Sequence, residues 1–136
     1  MGPCALFKTA DIEAIFGALD TAPETKPNEK FGGTECTLVA EHGLINLIQV
    51  PGGKTKMTEM VNAVKKRGAP LVPITGYGDV AYIATAKAGA NAPGVLGALI
   101  FLKGDTFFAI TVLGDLGEAK LGEGLKTMAA IAAQGL

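Results

Sequence analysis

The stretch VLGALIFLKGDTFFAITVL, residues 95–113, decides the fold that we predict for this chain. Two apolar runs, residues 95–103 and 106–113, flank the pair Gly104-Asp105. A two-residue turn with glycine first is typical of a tight β-hairpin. Apolar side chains occupy both alternating sets of positions in each run, so both faces of the hairpin are predicted to be hydrophobic. Such a hairpin lies in the centre of a sheet, or its second face meets another surface.

Three segments have apolar residues at helical spacing. The first begins at Thr9, which we interpret as its N-cap, and ends near Gly17. Thr55 is the predicted N-cap of the second segment, which ends at Gly68. The last segment spans roughly residues 117–134. These patterns predict three helices.

Further strand patterns occupy residues 35–40, 44–50 and 80–86. The first two are joined by a short turn in which Gly43 is predicted to take the left-handed conformation. Two segments rich in glycine, proline or polar residues predict loops: 21–33 and 87–94.

These elements predict a single α+β domain spanning residues 1–136. Their order is helix, strand, strand, helix, strand, strand, strand, helix. Because hairpins dominate this order, we expect a largely antiparallel five-stranded sheet with its three helices gathered on one face. A chain of 136 residues is long enough to bury a hydrophobic core without a metal ion.

The composition excludes several classes of protein. Apolar residues make up 49% of the chain and charged residues 18%, which excludes a disordered protein. A net charge of -1 and the absence of tryptophan give no basis for binding nucleic acid or an anionic membrane surface. No apolar run in the sequence is long enough to span a membrane. No cofactor and no metal site is predicted, because neither cysteine has metal-ligand spacing and the chain has one histidine.

The segment QVPGGKTKMTEM, residues 49–60, is similar to a phosphate-binding loop at Gly53, Lys54 and Thr55. The Walker motif requires another glycine five residues before Gly53, where Ile48 stands. The four residues between the strand and Thr55 are too few to surround a triphosphate. We therefore interpret the segment as a strand-to-helix turn and keep only weak anion binding at Lys54 and Thr55 as a hypothesis.

Nucleophilic catalysis has few candidate residues in this chain. The sequence contains no serine, and His42 is its only histidine. Cys36 begins the strand that leads to His42, so a cysteine nucleophile paired with this histidine is one hypothesis. No third group that would orient the pair is evident. The spacing of Cys4 and Cys36 leaves two interpretations open: one disulfide, or two separate buried thiols.

The turn GYGD, residues 76–79, contains Tyr77 and Asp79. Asp79 has two interpretations, because its carboxylate either bonds the amides of its own turn or contacts a ligand. Tyr77 and Asp79 are therefore candidate ligand-binding residues.

Five pieces of the chain align in order with one bacterial family: residues 3–18, 32–41, 74–85, 99–114 and the final alanine-rich helix. They resemble small exported bacterial lipoproteins and secreted domains of unknown function, which are similar to the extracellular sensor domains of receptor-type bacterial Ser/Thr kinases. The shared features fall on two cysteines, a helix-ending glycine and two turns: Cys4, Cys36, Gly17, residues 76–79 and residues 103–105.

The resemblance implies a disulfide between Cys4 and Cys36 and a location in the periplasm or the cell envelope. Two features depart from the family pattern. Thr37 and Leu38 stand where members have an aromatic residue after the second cysteine. Cys4, preceded by Met-Gly-Pro, does not fit a lipidation box, so the resemblance leaves membrane anchoring open.

Three functional hypotheses follow. The first is a non-catalytic exported domain that binds a small molecule or an envelope protein, through the sheet face left free by the helices or through a rim formed by residues 21–33 and 76–79. The second is a small intracellular enzyme that uses Cys36 with His42, or an anion site at Lys54. The third is a homodimer whose apolar sheet faces pack together.

Overall fold

Seven β-strands and three α-helices occur in the computed structural model, which describes residues 2–68, 70–87 and 94–136. In chain order the elements are a 3-10 helix Pro3–Leu6, α1 Thr9–Phe16, β1 Glu24–Pro27, β2 Thr34–Ala40, β3 Gly43–Val50, α2 Lys54–Lys66, β4 Val72–Ile74, β5 Val80–Lys87, β6 Val95–Lys103, β7 Thr106–Gly114 and α3 Glu118–Gly135. The strands form one antiparallel sheet with the order β1-β2-β3-β7-β6-β5-β4. The predicted α+β class and antiparallel sheet are therefore confirmed.

The predicted hairpin forms β6 and β7 and lies at the centre of the sheet. Lys103 pairs with Thr106, and Gly104 between them has a φ of +60°, a left-handed backbone that glycine adopts without a Cβ clash. Leu99 and Ile100 are adjacent in β6 and point to opposite faces, yet both are completely buried. The hairpin thus has a hydrophobic layer on each side, as its pattern predicts.

Helices α1 and α3 cover one side of the sheet, which we call the α1/α3 face. Their apolar residues and the side chains of β3, β6 and β7 form one core: Ile12, Phe16, Ile45, Leu47, Leu99, Phe101, Phe108, Ile110, Leu121, Leu125 and Met128. Gly124 of α3 lets the two helices approach closely, because a Cβ there would lie 2.5 Å from Ile15 Cγ2 of α1.

Helix α2 packs on the opposite side, the α2 face, so the prediction that all three helices gather on one face is wrong. Met57, Met60 and Val64 of α2 belong to a second core that includes Ile100 and Phe107. Strands β6 and β7 are apolar on both sides and would leave a large hydrophobic area in water if one side lacked a helix. This need for cover explains why the helices are divided between the two faces.

The sheet has seven strands and not the predicted five, because two short edge strands have no recognisable side-chain pattern. β1 lies within residues 21–33, where the sequence predicts a loop, and its four residues are all exposed. β4 has three residues, with Pro73 in the middle. Proline is tolerated at a sheet edge, since its missing N–H interrupts no ladder there. Pairing with β2 and with β5, not alternation of side chains, forms these two strands.

The predicted N-caps of the first two helices are displaced by one or two residues. Thr9 is the first residue of α1, and Thr55 is the second residue of α2, whose N-cap is Gly53. The helices themselves lie where the spacing predicts them. Of the predicted loop 87–94, residues 88–93 lie outside the described residues.

A disulfide joins Cys4 in the 3-10 helix to Cys36 in β2, as the resemblance implies. The two Cα atoms are 5.3 Å apart, and Cys36 is completely buried in the core of the α1/α3 face. A structural disulfide indicates that the chain folds in an oxidising environment. No helix in the described part of the chain is both long and apolar enough to cross a membrane.

Candidate functional site

The sequence predicts ligand-binding residues in two segments, Lys54 with Thr55 and the turn that contains Tyr77 and Asp79. Both segments lie at one end of the sheet. This end is formed by the start of α2, the turn between β4 and β5, and the turn between β6 and β7. Gly53, the N-cap of α2, donates its N–H to the carbonyl of Asp105 at 2.9 Å. From the same β6–β7 turn, Gly104 donates its N–H to Asp79 Oδ2 at 2.8 Å. The β6–β7 turn therefore links the two predicted segments.

Asp79 holds two turns together. Its own N–H donates to the carbonyl of Leu102 at 2.7 Å, and its carboxylate accepts from Gly104 in the neighbouring turn. Gly78 permits this approach, because its φ is +71° and a Cβ there would lie 2.5 Å from the Leu102 oxygen. The sequence predicts that Asp79 bonds its own turn or a ligand, whereas this bond joins the β4–β5 turn to the β6–β7 turn.

Replacing Asp79 by alanine is expected to lower the free energy of unfolding by about 1 kcal/mol, because the hydrogen bond to the Gly104 amide is lost. Urea denaturation measures this loss, and amide hydrogen exchange at Gly104 should become faster. Asp79→Asn keeps a side-chain oxygen at the same place and is the matched control. If Asp79→Ala matched the wild type in both measurements, the proposed link between the turns would be wrong.

Lys54 and Thr55 lie exposed on the first turn of α2. Within the described residues, neither side chain makes a hydrogen bond or an ion pair. Neither lines the two depressions described next. One lysine at the start of a helix does not by itself form a ligand site, so we assign no ligand to this segment.

Tyr77 lines an open depression with a volume of about 360 Å³. Its other lining residues are Pro73, Ile74 and Thr75, from β4 and the following turn, and Lys126 of α3. Tyr77 also packs against the core of the α1/α3 face. Of the predicted ligand-binding residues, Tyr77 alone contributes to this depression.

A smaller cavity of about 20 Å³ lies beside the disulfide. Its lining comes from the amino-terminal segment, α1, β2, β3 and the segment after α1: Cys4, Phe7, Lys8, Thr9, Ile12, Leu19, Pro23, Leu38 and Leu47. A cavity of this size holds about one water molecule. It is too small for a cofactor or an organic ligand.

His42 is held by two carboxylates, away from Cys36. Its Nε2 lies 2.9 Å from Glu41 Oε1, and its Nδ1 lies 3.0 Å from Asp115 Oδ1. Cys36 lies four positions before Ala40, the last residue of β2, which corresponds to about 14 Å at the rise of a β-strand, and His42 lies beyond Ala40 in the turn. Its sulfur is bonded to Cys4, so Cys36 has no free thiol. Cys36 and His42 therefore do not form a catalytic pair.

The described ranges contain no group of three His, Cys, Asp or Glu residues arranged to hold a metal ion.

Three exposed leucines lie side by side on the α2 face. The register pairs Leu44 of β3 with Leu113 of β7, and Leu113 with Leu96 of β6. Their side chains are exposed by 48%, 45% and 37%, in that order. Val39 of β2 and Ala86 of β5 extend the line on its two sides. We call these five residues the leucine row.

The leucine row belongs to a part of the α2 face that α2 leaves uncovered. Phe107 packs under α2, and Thr111 and Leu113 lie further along the same face of β7, because side chains alternate along a strand. Thr37, Asn46 and Thr111 pair in register between the leucine row and α2 and form a polar row. Asn46 Nδ2 donates to Thr37 Oγ1 at 3.4 Å. We call the two rows together the open sheet surface.

Neither Lys126 nor the leucine row is among the candidate residues that the sequence predicts. A lysine on a helix has the appearance of an ordinary solvated residue, and only the packing of α3 on β5 and β6 places it at the depression. The leucines are distant in sequence and become neighbours through the strand order. The sequence feature that points to the leucine row is the hairpin with apolar residues on both faces, because one helix cannot bury all of its apolar surface.

Comparison with known proteins found no matching family model, no matching curated protein and no matching solved structure.

Proposed function

We propose that this protein is a non-catalytic domain exported to the periplasm or the cell envelope, where it binds a helix of a partner protein on the open sheet surface. The disulfide supports export, because such bonds form and persist in oxidising compartments. The leucine row is the single observation that carries the binding proposal.

Three adjacent leucines in water form a continuous apolar patch. Single exposed apolar residues are normal on protein surfaces, whereas contiguous patches mark sites of interaction. Leu44, Leu113 and Leu96 come from three neighbouring strands, so their exposed areas adjoin one another. A partner that covers them removes from water the apolar area that α2 leaves exposed.

The shape of the open sheet surface favours a helix as its occupant. With its side chains α2 is about 10 Å in diameter, so it forms a step of this height beside the polar row. The two rows together occupy roughly 14 Å along the strands, and the leucine row crosses five strands, which is about 24 Å. A helix of about 16 residues has this length. Its apolar face would contact the leucine row, and polar side chains on its flank would reach the polar row.

A second copy of the chain fits this surface less well. The open sheet surface has five residues in the leucine row and three in the polar row, which cover roughly 260 Å² at ordinary strand spacing, a strip that suits one helix better than the flat face of a second sheet. The α2 helix of each copy would also stand between the two sheets and prevent flat contact. The homodimer is therefore the alternative that an experiment must distinguish.

The intracellular-enzyme hypothesis has less support than the binding hypothesis. One form of it requires a reduced Cys36 beside His42, but Cys36 is bonded to Cys4 and completely buried. The other form requires an anion site at Lys54, which is exposed on the first turn of α2 and lines neither depression.

Site-specific photocrosslinking in the cells that produce the protein tests the proposal. With p-benzoylphenylalanine in place of Leu113, we expect an adduct with one partner protein, because the probe lies within the docking surface. Mass spectrometry of the linked peptides should locate the contact in a helical segment of that partner. Val72 is 53% exposed on the edge strand β4 and is the matched control position, where we expect much less adduct.

Each part of the proposal can fail separately. An adduct between two copies of this chain would show that the open sheet surface forms a homodimer and does not bind a partner helix. Equal yields at Leu113 and Val72, or no adduct at either, would contradict the docking surface. Recovery of the protein from the cytoplasm with two free thiols would contradict export, whatever the crosslinking shows.

A further inference from the structure

We infer that the open depression beside Tyr77 binds a small organic anion that has an apolar part, with a carboxylate as its simplest charged group. The depression lies on the α1/α3 face, opposite the leucine row, so this inference does not depend on the partner helix. The depression has a volume of about 360 Å³ and is open to solvent, so a small ligand bound there would stay partly in water.

Three polar groups around the depression are available to a ligand: the hydroxyls of Thr75 and Tyr77 and the ammonium group of Lys126. Within the described residues, none of these side chains makes a hydrogen bond, and Lys126 forms no ion pair. Ile74, whose side chain belongs to the α1/α3 face, supplies the apolar part of the lining. This combination matches a ligand with a carboxylate at one end and a hydrocarbon group at the other.

The lining of the depression is held in place before a ligand binds. Ile74 is paired with β5 in the sheet, and Tyr77 packs against the core of the α1/α3 face. Two residues after Tyr77, the carboxylate of Asp79 accepts the Gly104 N–H and fixes the turn. Lys126 comes from the middle of α3, which is a second ordered element. A ligand therefore orders little of the chain on binding, which lowers the entropic cost.

Lys126 sets the sign of the charge that the depression accepts. No acidic side chain among the described residues lines it, so a cationic ligand would meet repulsion without compensation. Because the depression is open to solvent, water and salt weaken the attraction for an anion. For a minimal ligand we expect a Kd on the order of 1 mM.

Benzoate and benzamide form a matched pair of probes, because they share a flat ring and differ in charge. In an NMR titration we expect benzoate to shift the amide signals of Thr75, Tyr77 and Lys126, and benzamide to bind about five- to tenfold more weakly. Lys126→Gln should weaken benzoate binding by a similar factor. Lys120→Gln, a change at an exposed position on the same helix, should leave the benzoate Kd unchanged.

Two results would overturn the inference. One is equal affinity for benzoate and benzamide, or for the wild type and Lys126→Gln, because charge recognition would then be absent. The other is the lack of benzoate-dependent shifts at Thr75, Tyr77 and Lys126. The amide spectrum of each variant without ligand shows whether it is folded, so a loss of binding is not confused with a loss of structure.

Discussion

Replacing both cysteines, as Cys4→Ala with Cys36→Ala, is expected to lower the free energy of unfolding by about 3 to 4 kcal/mol. The disulfide joins residues with a sequence separation of 32, so it removes many conformations from the unfolded chain. Domains of this kind are stable by only about 5 to 15 kcal/mol, so the loss is a large part of the total. Urea denaturation of the oxidised wild type and the double variant measures it.

Reductant provides the control for this experiment. Dithiothreitol should lower the stability of the wild type towards that of the double variant and should have no effect on the double variant itself. Phe7 and Leu6 in the amino-terminal segment also pack against the core of the α1/α3 face. If the double variant were as stable as the oxidised wild type, this packing and not the disulfide would fasten the segment to the sheet.

The central hairpin could be predicted because all of its signals are local. Gly104-Asp105 defines the turn, and the flanking residues are apolar without interruption. The same pattern predicts that other parts of the protein pack against both faces of the hairpin. The prediction placed all helices on one face because the spacing within a helix shows which of its sides is apolar, and not which face of a sheet it meets.

Other features could not be predicted because distant parts of the chain create them. β1 and β4 exist through pairing with β2 and β5, and their own residues lack the alternation of a half-buried strand. Gly43 is predicted to be left-handed but does not have a positive φ. A Cβ there would lie 3.2 Å from Phe16 Cδ1 and 3.3 Å from Val112 Cγ1, so tertiary packing gives glycine its role at this position.

The candidate sites show the same division between local and distant signals. The sequence predicts Tyr77 and Asp79 of the GYGD turn as ligand-binding residues, yet the structure gives them different surroundings. Asp79 accepts a hydrogen bond from another turn, and Tyr77 lines the depression together with Lys126. The sequence predicts Leu113 as part of an apolar strand, but its neighbours in the leucine row follow only from the register.

Phe108→Ala is expected to lower the free energy of unfolding by about 3 to 5 kcal/mol, because it leaves a cavity in a densely packed core. Phe108 is completely buried on the middle strand β7. Its ring stacks on Phe101 with centroids 5.4 Å apart, and Phe7 of the amino-terminal segment lies 6.5 Å away on the same measure. One side chain therefore joins the hairpin to the segment that the disulfide fastens. Urea denaturation should show the loss.

Leu113→Ala on the same strand is the matched control. Leu113 points to the α2 face and is 45% exposed, so its truncation should change the free energy of unfolding by less than about 1 kcal/mol. The contrast separates two uses of apolar residues on β7, because Phe108 stabilises the fold while Leu113 is left free for the partner helix. If the two variants lost similar stability, Leu113 would belong to the chain's own core, and the leucine row would no longer support a docking surface.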